Sequence, residues 1–269
     1  LIYRETSGVW FFYTALAAAI CGFAAMKLSK PRTKTIYAKE GLITVALGWI
    51  VLSLVGALPF TLSGEIPFYL DAVFEMISGF TTTGSSILPN VEALSRCMLL
   101  WRSFSHWLGG MGILVFMLAI VKMEGGQGIH LLRAESPGPT VGKMVPRMVD
   151  SSKILYTIYF ALTLVQVVFY LAGGMPLFDS LCNAFATAGT GGFSIKADSF
   201  ASYSPYLQTV TTVFMALFGV NFSIYYYILR RNWGAVKHNS ELWTYLSMML
   251  VSSVVIAVNI LPMYGHNFF

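Results

Sequence analysis

Apolar residues run in six long stretches, at 9–26, 41–58, 95–121, 154–172, 206–229 and 242–261, separated by shorter polar connections. A helix needs about 20 mostly apolar residues to cross the ~30 Å hydrocarbon core of a bilayer. Each stretch therefore predicts a membrane span. Pro59 and Pro262 close the second and the last of them. Two spans are interrupted, at Gly109-Gly110-Met111-Gly112 and at Gly219-Val220-Asn221. The first interruption predicts a flexible kink, and Asn221 is expected to satisfy backbone freed by the second.

Two further stretches are too short and too polar to cross. Asp71-Ala-Val-Phe-Glu-Met-Ile-Ser-Gly-Phe-Thr-Thr-Thr-Gly-Ser-Ser86 predicts a short helix over 71–80 and ends in hydroxyls and glycine. Ten residues reach roughly 15 Å, about half of the hydrocarbon core. Such a segment enters a membrane, turns and leaves by the same side, and its non-helical backbone must be buried by protein or line water. Asp179-Ser-Leu-Cys-Asn-Ala-Phe-Ala-Thr-Ala-Gly-Thr-Gly-Gly192 repeats the device, with the same thirteen positions from Asp to the final glycine. Asp71 and Asp179 are expected as N-caps.

The expected fold class is thus an all-α polytopic membrane protein of repeated span–pore-loop–span units, two complete plus the start of a third. Its parts are an N-terminal span and loop (1–39), a first repeat (40–121), a connection (122–153), a second repeat (154–230) and the opening of a third (231–269). The connection has room for a short amphipathic helix.

Composition agrees: 56% of residues are hydrophobic and 11% charged, against about 25% charged in soluble domains. The net charge of +5 does not point to nucleic acid, because the loops at 27–39, 122–153 and 230–240 hold five, five and three of the 17 Lys and Arg residues. Alternating spans put these loops on one side, which the positive-inside rule makes the cytoplasm. The re-entrant loops then enter from outside, where Glu65, Asp71, Glu75, Glu92, Asp179 and Asp198 face only Arg96 and Lys196. An acidic mouth raises the local cation concentration. Cys21, Cys97 and Cys182 sit in or beside apolar segments without C-x-x-C spacing, which reads as packing.

A cation crossing a membrane must replace its hydration shell, and rings of backbone carbonyls do this. Thr81-Thr82-Thr83-Gly84 suits an extended strand with carbonyls aimed at an axis, and Thr190-Gly191-Gly192 suits the same role in the second copy. The C-terminal ends of the short helices would add partial negative charge at the membrane centre. Arg102 lies inside a span, where charge is usually functional; it could pair with Glu75, tune cation passage, or snorkel to the outer headgroups. His106, one turn on, reads as a packing or hydrogen-bonding residue. Gly125-Gly126-Gln127-Gly128 follows no strand and reads as a turn rather than a phosphate loop. No Ser/His/Asp set, paired acids, cofactor motif or transition-metal cluster is recognisable, so nothing supports an enzyme.

Several long motifs resemble the Trk/Ktr/HKT potassium-transporter family of TrkH and KtrB, and TrkH most. They are Glu40-Gly-Leu-Ile-Thr-Val-Ala-Leu-Gly-Trp-Ile50, Gly56-Ala-Leu-Pro-Phe60, the 71–84 stretch, Arg102-Ser-Phe-Ser-His-Trp-Leu-Gly-Gly-Met-Gly112, Gly191-Gly-Phe-Ser194 and Asn221-Phe-Ser-Ile-Tyr-Tyr226. The resemblance implies four repeats around one pore, potassium uptake across the cell inner membrane, a homodimer, and a cytoplasmic nucleotide-binding regulatory subunit of TrkA or KtrA type. Carried over by position, it implies a selectivity filter of Thr82, Thr83 and Gly84 in the first repeat and Thr190, Gly191 and Gly192 in the second. Equal spacing from Asp aligns Gly192, rather than Gly191, with Gly84. Two filter strands make half a ring, so the chain is expected to be a fragment or to share its pore with another chain. A sodium-permeable relative and a non-transporting bundle are the alternatives.

Overall fold

The computed structural model describes residues 5–29, 38–112, 148–192 and 194–260, and no strand occurs among them. The helices are α1 (Ser7–Leu28), α2 (Ala38–Ser63), α3 (Tyr69–Phe80), α4 (Arg96–Met111), α5 (Met148–Ala172), α6 (Leu177–Ala188), α7 (Pro205–Phe218), α8 (Phe222–Leu229), α9 (Trp233–Lys237) and α10 (Ser240–Ile260). Among the described residues Ser7–Leu28, Leu42–Ser63, Lys153–Ala172 and Ser240–Ile260 are long and apolar enough to cross a membrane. Their outward side chains, such as Phe12, Phe23, Ile50, Val168 and Val255, are large, apolar and exposed. Surface of this kind belongs against lipid. The chain is an all-helical, multi-pass membrane protein with pore-loop units.

It divides into two compact units, Leu1–Gly219 and Val220–Phe269. In the first, α3 packs between α2 and α4, and α6 packs between α5 and α7; α4 also packs on α6, which joins the two sets. The short helices α3 and α6 are twelve residues each and amphipathic. The first buries Ala72, Val73, Met76 and Phe80, the second Cys182, Ala184, Ala186 and Ala188. Aromatic rings fill the seam: Phe104 stacks on Trp107 at 5.7 Å, and Trp107 meets Tyr159 at 5.3 Å and Phe185 at 5.8 Å. Glu5 accepts from the amides of Arg96 and Cys97 at the start of α4 (3.2 and 3.0 Å). Ser7 donates to Glu65 at 2.7 Å, and Ser95 donates to Glu65 through both its amide and its hydroxyl, each at 2.7 Å. The first turn of α1, the end of α2 and the start of α4 thus share one end of the unit.

Two sequence expectations need correction. Pro59 does not close its span, because α2 continues to Ser63. Proline removes one i→i−4 bond, but Tyr69 donates to the Leu54 carbonyl at 2.9 Å and the Trp101 indole to the Gly56 carbonyl at 3.0 Å. Neighbouring side chains thus bond the backbone on both sides of the defect. Asp71 and Asp179 are not N-caps: Phe68 and Pro176 hold those positions, and the aspartates sit in the first turns. There a carboxylate still meets the positive end of the helix dipole. The interruption expected at Gly109-Gly110-Met111-Gly112 falls at the last residue of that motif: α4 stays helical to Met111 and ends at Gly112, whose φ is +86°, and residues 113–121 of the expected span lie outside the described residues.

The break after α7 is present: Gly219 follows Phe218 as its C-cap. In the second unit Asn221 accepts from the Ser223 amide at 3.0 Å, capping α8, and its amide nitrogen donates to both oxygens of Glu241 at 3.2 and 3.1 Å. The cysteines are free: Cys21 exposed, Cys97 partly buried, Cys182 buried. Residues 148–153 of the expected 122–153 connection already belong to α5, while 122–147, with the Gly125–Gly128 turn and the room for an amphipathic helix, fall outside the described residues.

Candidate functional site

Each short helix ends in a chain reversal, and the two reversals share one register. After α3, the amides of Thr81, Thr82 and Thr83 bond back to the carbonyls of Ile77, Gly79 and Ser78 at 2.9, 3.0 and 2.9 Å. After α6, Gly189 and Thr190 bond back to Phe185 and Thr187 at 3.3 and 2.9 Å. Thr82 and Thr190 both have φ of 55°, and Gly84 and Gly192 have φ of 76° and 84°. These dihedrals place Gly192, rather than Gly191, in register with Gly84. A left-handed threonine is strained by about 1–3 kcal/mol and persists only where its surroundings fix it. The expected extended strand is therefore replaced by backbone that is left-handed at every second residue. Ser78 donates to the Ser85 carbonyl at 2.5 Å, and the Thr81 and Thr83 hydroxyls share a 2.8 Å bond.

The two reversals meet backbone to backbone. A methyl added to Gly84 would collide with the Gly191 carbonyl, and one added to Gly191 would lie 2.6 Å from the Thr82 carbonyl oxygen. Helix α4 stands behind both. Gly109 lies against the Phe80 carbonyl and Thr82, and Gly110 against the Ala188 carbonyl and Tyr159. The His106 ring, fully buried, packs on the backbone of Gly189 and Gly191. Each contact explains a small residue in the Gly109-Gly110 pair: a Cβ there would push a reversal out of place.

Arg102 is 2% exposed and Glu75 0%. The Arg102 Nε donates to Glu75 Oε1 at 2.6 Å, so the side chain pairs inside the protein and does not snorkel. Glu75 also accepts from the Ser86 hydroxyl at 2.8 Å and the Ile87 amide at 3.0 Å, just beyond the first reversal. The second reversal has a neutral version of this tie: the Ser194 hydroxyl donates to Asn183 Oδ1 at 3.4 Å. Ser86–Glu75 and Ser194–Asn183 are both eleven positions apart. That repeated spacing was a readable signal for a pair the sequence reading missed.

The acidic mouth needs the same correction. Glu75 is buried in its ion pair, and Glu65 is bonded to Ser7 and Ser95. Glu92 accepts from the Ala197 amide at 3.4 Å, linking the loop before α4 to the loop after α6. Beside them Lys196 lies over the Tyr203 ring at 4.3 Å. Burial pushes the Tyr203 phenol above its ordinary range, opposed by its hydrogen bond with Asn183. Among the described residues no group of three His, Cys, Asp or Glu is placed to hold a metal ion.

Comparison with known proteins fits this geometry. The TrkH family, described as cation transport proteins, matches residues 10–263. The Trk system potassium uptake protein TrkG of Escherichia coli is 33% identical over 234 residues, covering 86% of this chain and 48% of that protein. TrkH of Vibrio parahaemolyticus is 34% identical over 229 residues, covering 84% and 47% respectively. An uncharacterised cation transporter of Methanocaldococcus jannaschii is 30% identical over 259 residues, covering 96% and 52%. The chain spans about half the length of the curated relatives it matches. The crystal structure of the potassium transporter TrkH from Vibrio parahaemolyticus superposes with a TM-score of 0.78 at 28% identity, over 100% of this chain and 55% of that one. The chain belongs to the TrkH family of cation transport proteins.

Proposed function

We propose that this chain forms part of a channel-like path for potassium uptake, with Thr82, Thr83 and Gly84 on one side of the selectivity filter and Thr190, Gly191 and Gly192 on the other. One observation carries this reading: the same half-helix and left-handed reversal occurs twice in register, and the two backbones meet through glycine. In a regular strand successive carbonyls point to opposite sides. Reversing the sign of φ at alternate residues turns alternate peptide planes over, so that neighbouring carbonyls line one side and replace the water of a dehydrated cation. The potassium ion is cargo, and the path calls for no cofactor. The names of the relatives, potassium uptake proteins of the Trk system, support the choice of ion. Two strands supply half of a ring. The remaining two would come from sequence for which relatives of about twice this length have room. The inner membrane as location, a homodimer and a cytoplasmic nucleotide-binding regulatory subunit belong to the same proposal.

The test is Gly84→Ser in the full-length transporter, expressed in cells that lack their own potassium uptake. Only glycine adopts φ of +76° freely, and the added side chain lands on the opposite strand. Potassium uptake should fall relative to sodium uptake by about tenfold or more, a misplacement of order 1 Å being enough for such losses. An unchanged ratio would count against the filter assignment, and equal wild-type rates for both ions would favour a sodium-permeable path.

A further inference from the structure

Arg102 makes a second bond that the ion pair does not explain. Its Nη1 donates to the Ser194 carbonyl at 2.8 Å, 92 positions along the chain and in the other repeat. Through Nε the same guanidinium holds Glu75, and Glu75 holds Ser86 and Ile87. One rigid plane therefore connects the segment leaving the first reversal to the segment leaving the second. The second repeat shows that a charge is not needed to hold one such segment, because Asn183 meets Ser194 with a neutral amide. Nor does a buried ion pair add much net stability, since desolvation offsets most of its attraction. What the arginine adds is geometry: its planar fork fixes two bonding directions at once, whereas a lysine offers a single flexible ammonium. Helix α4, which carries Arg102, also backs both reversals through Gly109, Gly110 and His106. The fork is thus carried by the element that already stands behind both reversals.

We propose that Arg102 is a positioning residue that sets the spacing between the two reversals, and through it the discrimination of potassium from the smaller sodium ion. The proposal rests on the filter reading above. It differs from an electrostatic role in that the charge alone should not suffice.

The experiment compares Arg102→Lys, Arg102→Gln and Gly84→Ser in the full-length transporter, reading potassium and sodium uptake per transporter present in the membrane, with KM and maximal rate for each ion. The lysine variant keeps the charge and a partner for Glu75 but loses the fork. It should accumulate normally and lose selectivity by about tenfold, mainly through a raised KM for potassium, because a shifted coordination shell weakens binding of the larger ion first. The glutamine variant should lose at least as much selectivity, at lower abundance. A structural residue would instead lower the amount of protein and leave the ratio per transporter unchanged. Wild-type selectivity in Arg102→Lys, with selectivity lost in Gly84→Ser, would overturn the positioning role and leave the filter reading standing. Selectivity retained in Gly84→Ser would overturn the filter reading itself. Failure of Arg102→Lys to reach the membrane would also overturn the proposal, because it would make Arg102 a folding residue.

Discussion

At the residue scale, the site is built from atoms that are not there. Gly109 faces the Phe80 carbonyl and Gly191 faces the Thr82 carbonyl; both obstacles are main chain, which cannot rotate away. Gly48, in α2, has nothing within 4 Å of where a methyl would go. Gly109→Ala should therefore destabilise the full-length protein by about 1–3 kcal/mol through overpacking. Gly48→Ala should be neutral or stabilising by up to ~1 kcal/mol, because alanine is the better helix former. Thermal unfolding in detergent measures both; equal shifts would show that α4 is not wedged against the reversals. The sequence allowed part of this to be read. The Thr/Gly spacing after each aspartate predicted two equivalent reversals, and the intramembrane Arg102 suggested Glu75 as its partner. What it could not show is that Arg102 also reaches Ser194, or that His106 packs on Gly191. Periodicity reports which face of a helix is apolar. It carries no information on which distant backbone that face will touch.

At the scale of elements, spans were easier to read than half-helices, because twenty apolar residues have few alternatives in a bilayer. The ends were harder. Pro59 reads as a stop from local sterics, yet Tyr69 and Trp101 come from α3 and α4 to bond the carbonyls of Leu54 and Gly56, on either side of the one that the proline leaves without its amide. A tertiary contact overrode a local rule. The second repeat has a polar hub in its core that patterning also hid. The Tyr170 hydroxyl accepts from Gln166 at 2.8 Å and bonds the hydroxyls of Thr187 and Thr211 at 3.1 and 2.8 Å. It ties α5 to α6 and α7, and the tyrosine is fully buried. Interhelical hydrogen bonds in membranes average about 0.6 kcal/mol, so Tyr170→Phe should cost about 1–2 kcal/mol in all, less than breaking a buried ion pair at ~3–5 kcal/mol. Thermal unfolding should show that loss, while the potassium-to-sodium ratio stays at the wild-type value, because the hub meets the second reversal only through Thr187, whose carbonyl rather than its hydroxyl holds the Thr190 amide. A changed ratio would mean that packing behind α6 reaches the second reversal.

At the scale of the whole molecule, the proposed function depends on which side of the membrane the reversals open to. Glu5, Glu65 and Ser95 meet at one end of the first unit, and α1 runs from that end to Lys27. If Lys27 and the basic loop after it are cytoplasmic, as the positive-inside rule demands, then the shared end and the loop holding Asp198 face outward. Lys27 and Asp198 are both exposed. In a full-length protein freed of its own cysteines, Asp198→Cys should react with a membrane-impermeant maleimide added to intact cells, and Lys27→Cys should react only after the membrane is opened. The reverse labelling would invert the molecule. The half-helices would then enter from the cytoplasm, and the acids left at the mouth, Asp71, Glu92, Asp179 and Asp198, would concentrate cations on the side from which uptake does not begin. In that orientation the filter could still select among ions, but the charge pattern around it would favour release over capture, and uptake would have to be driven against it.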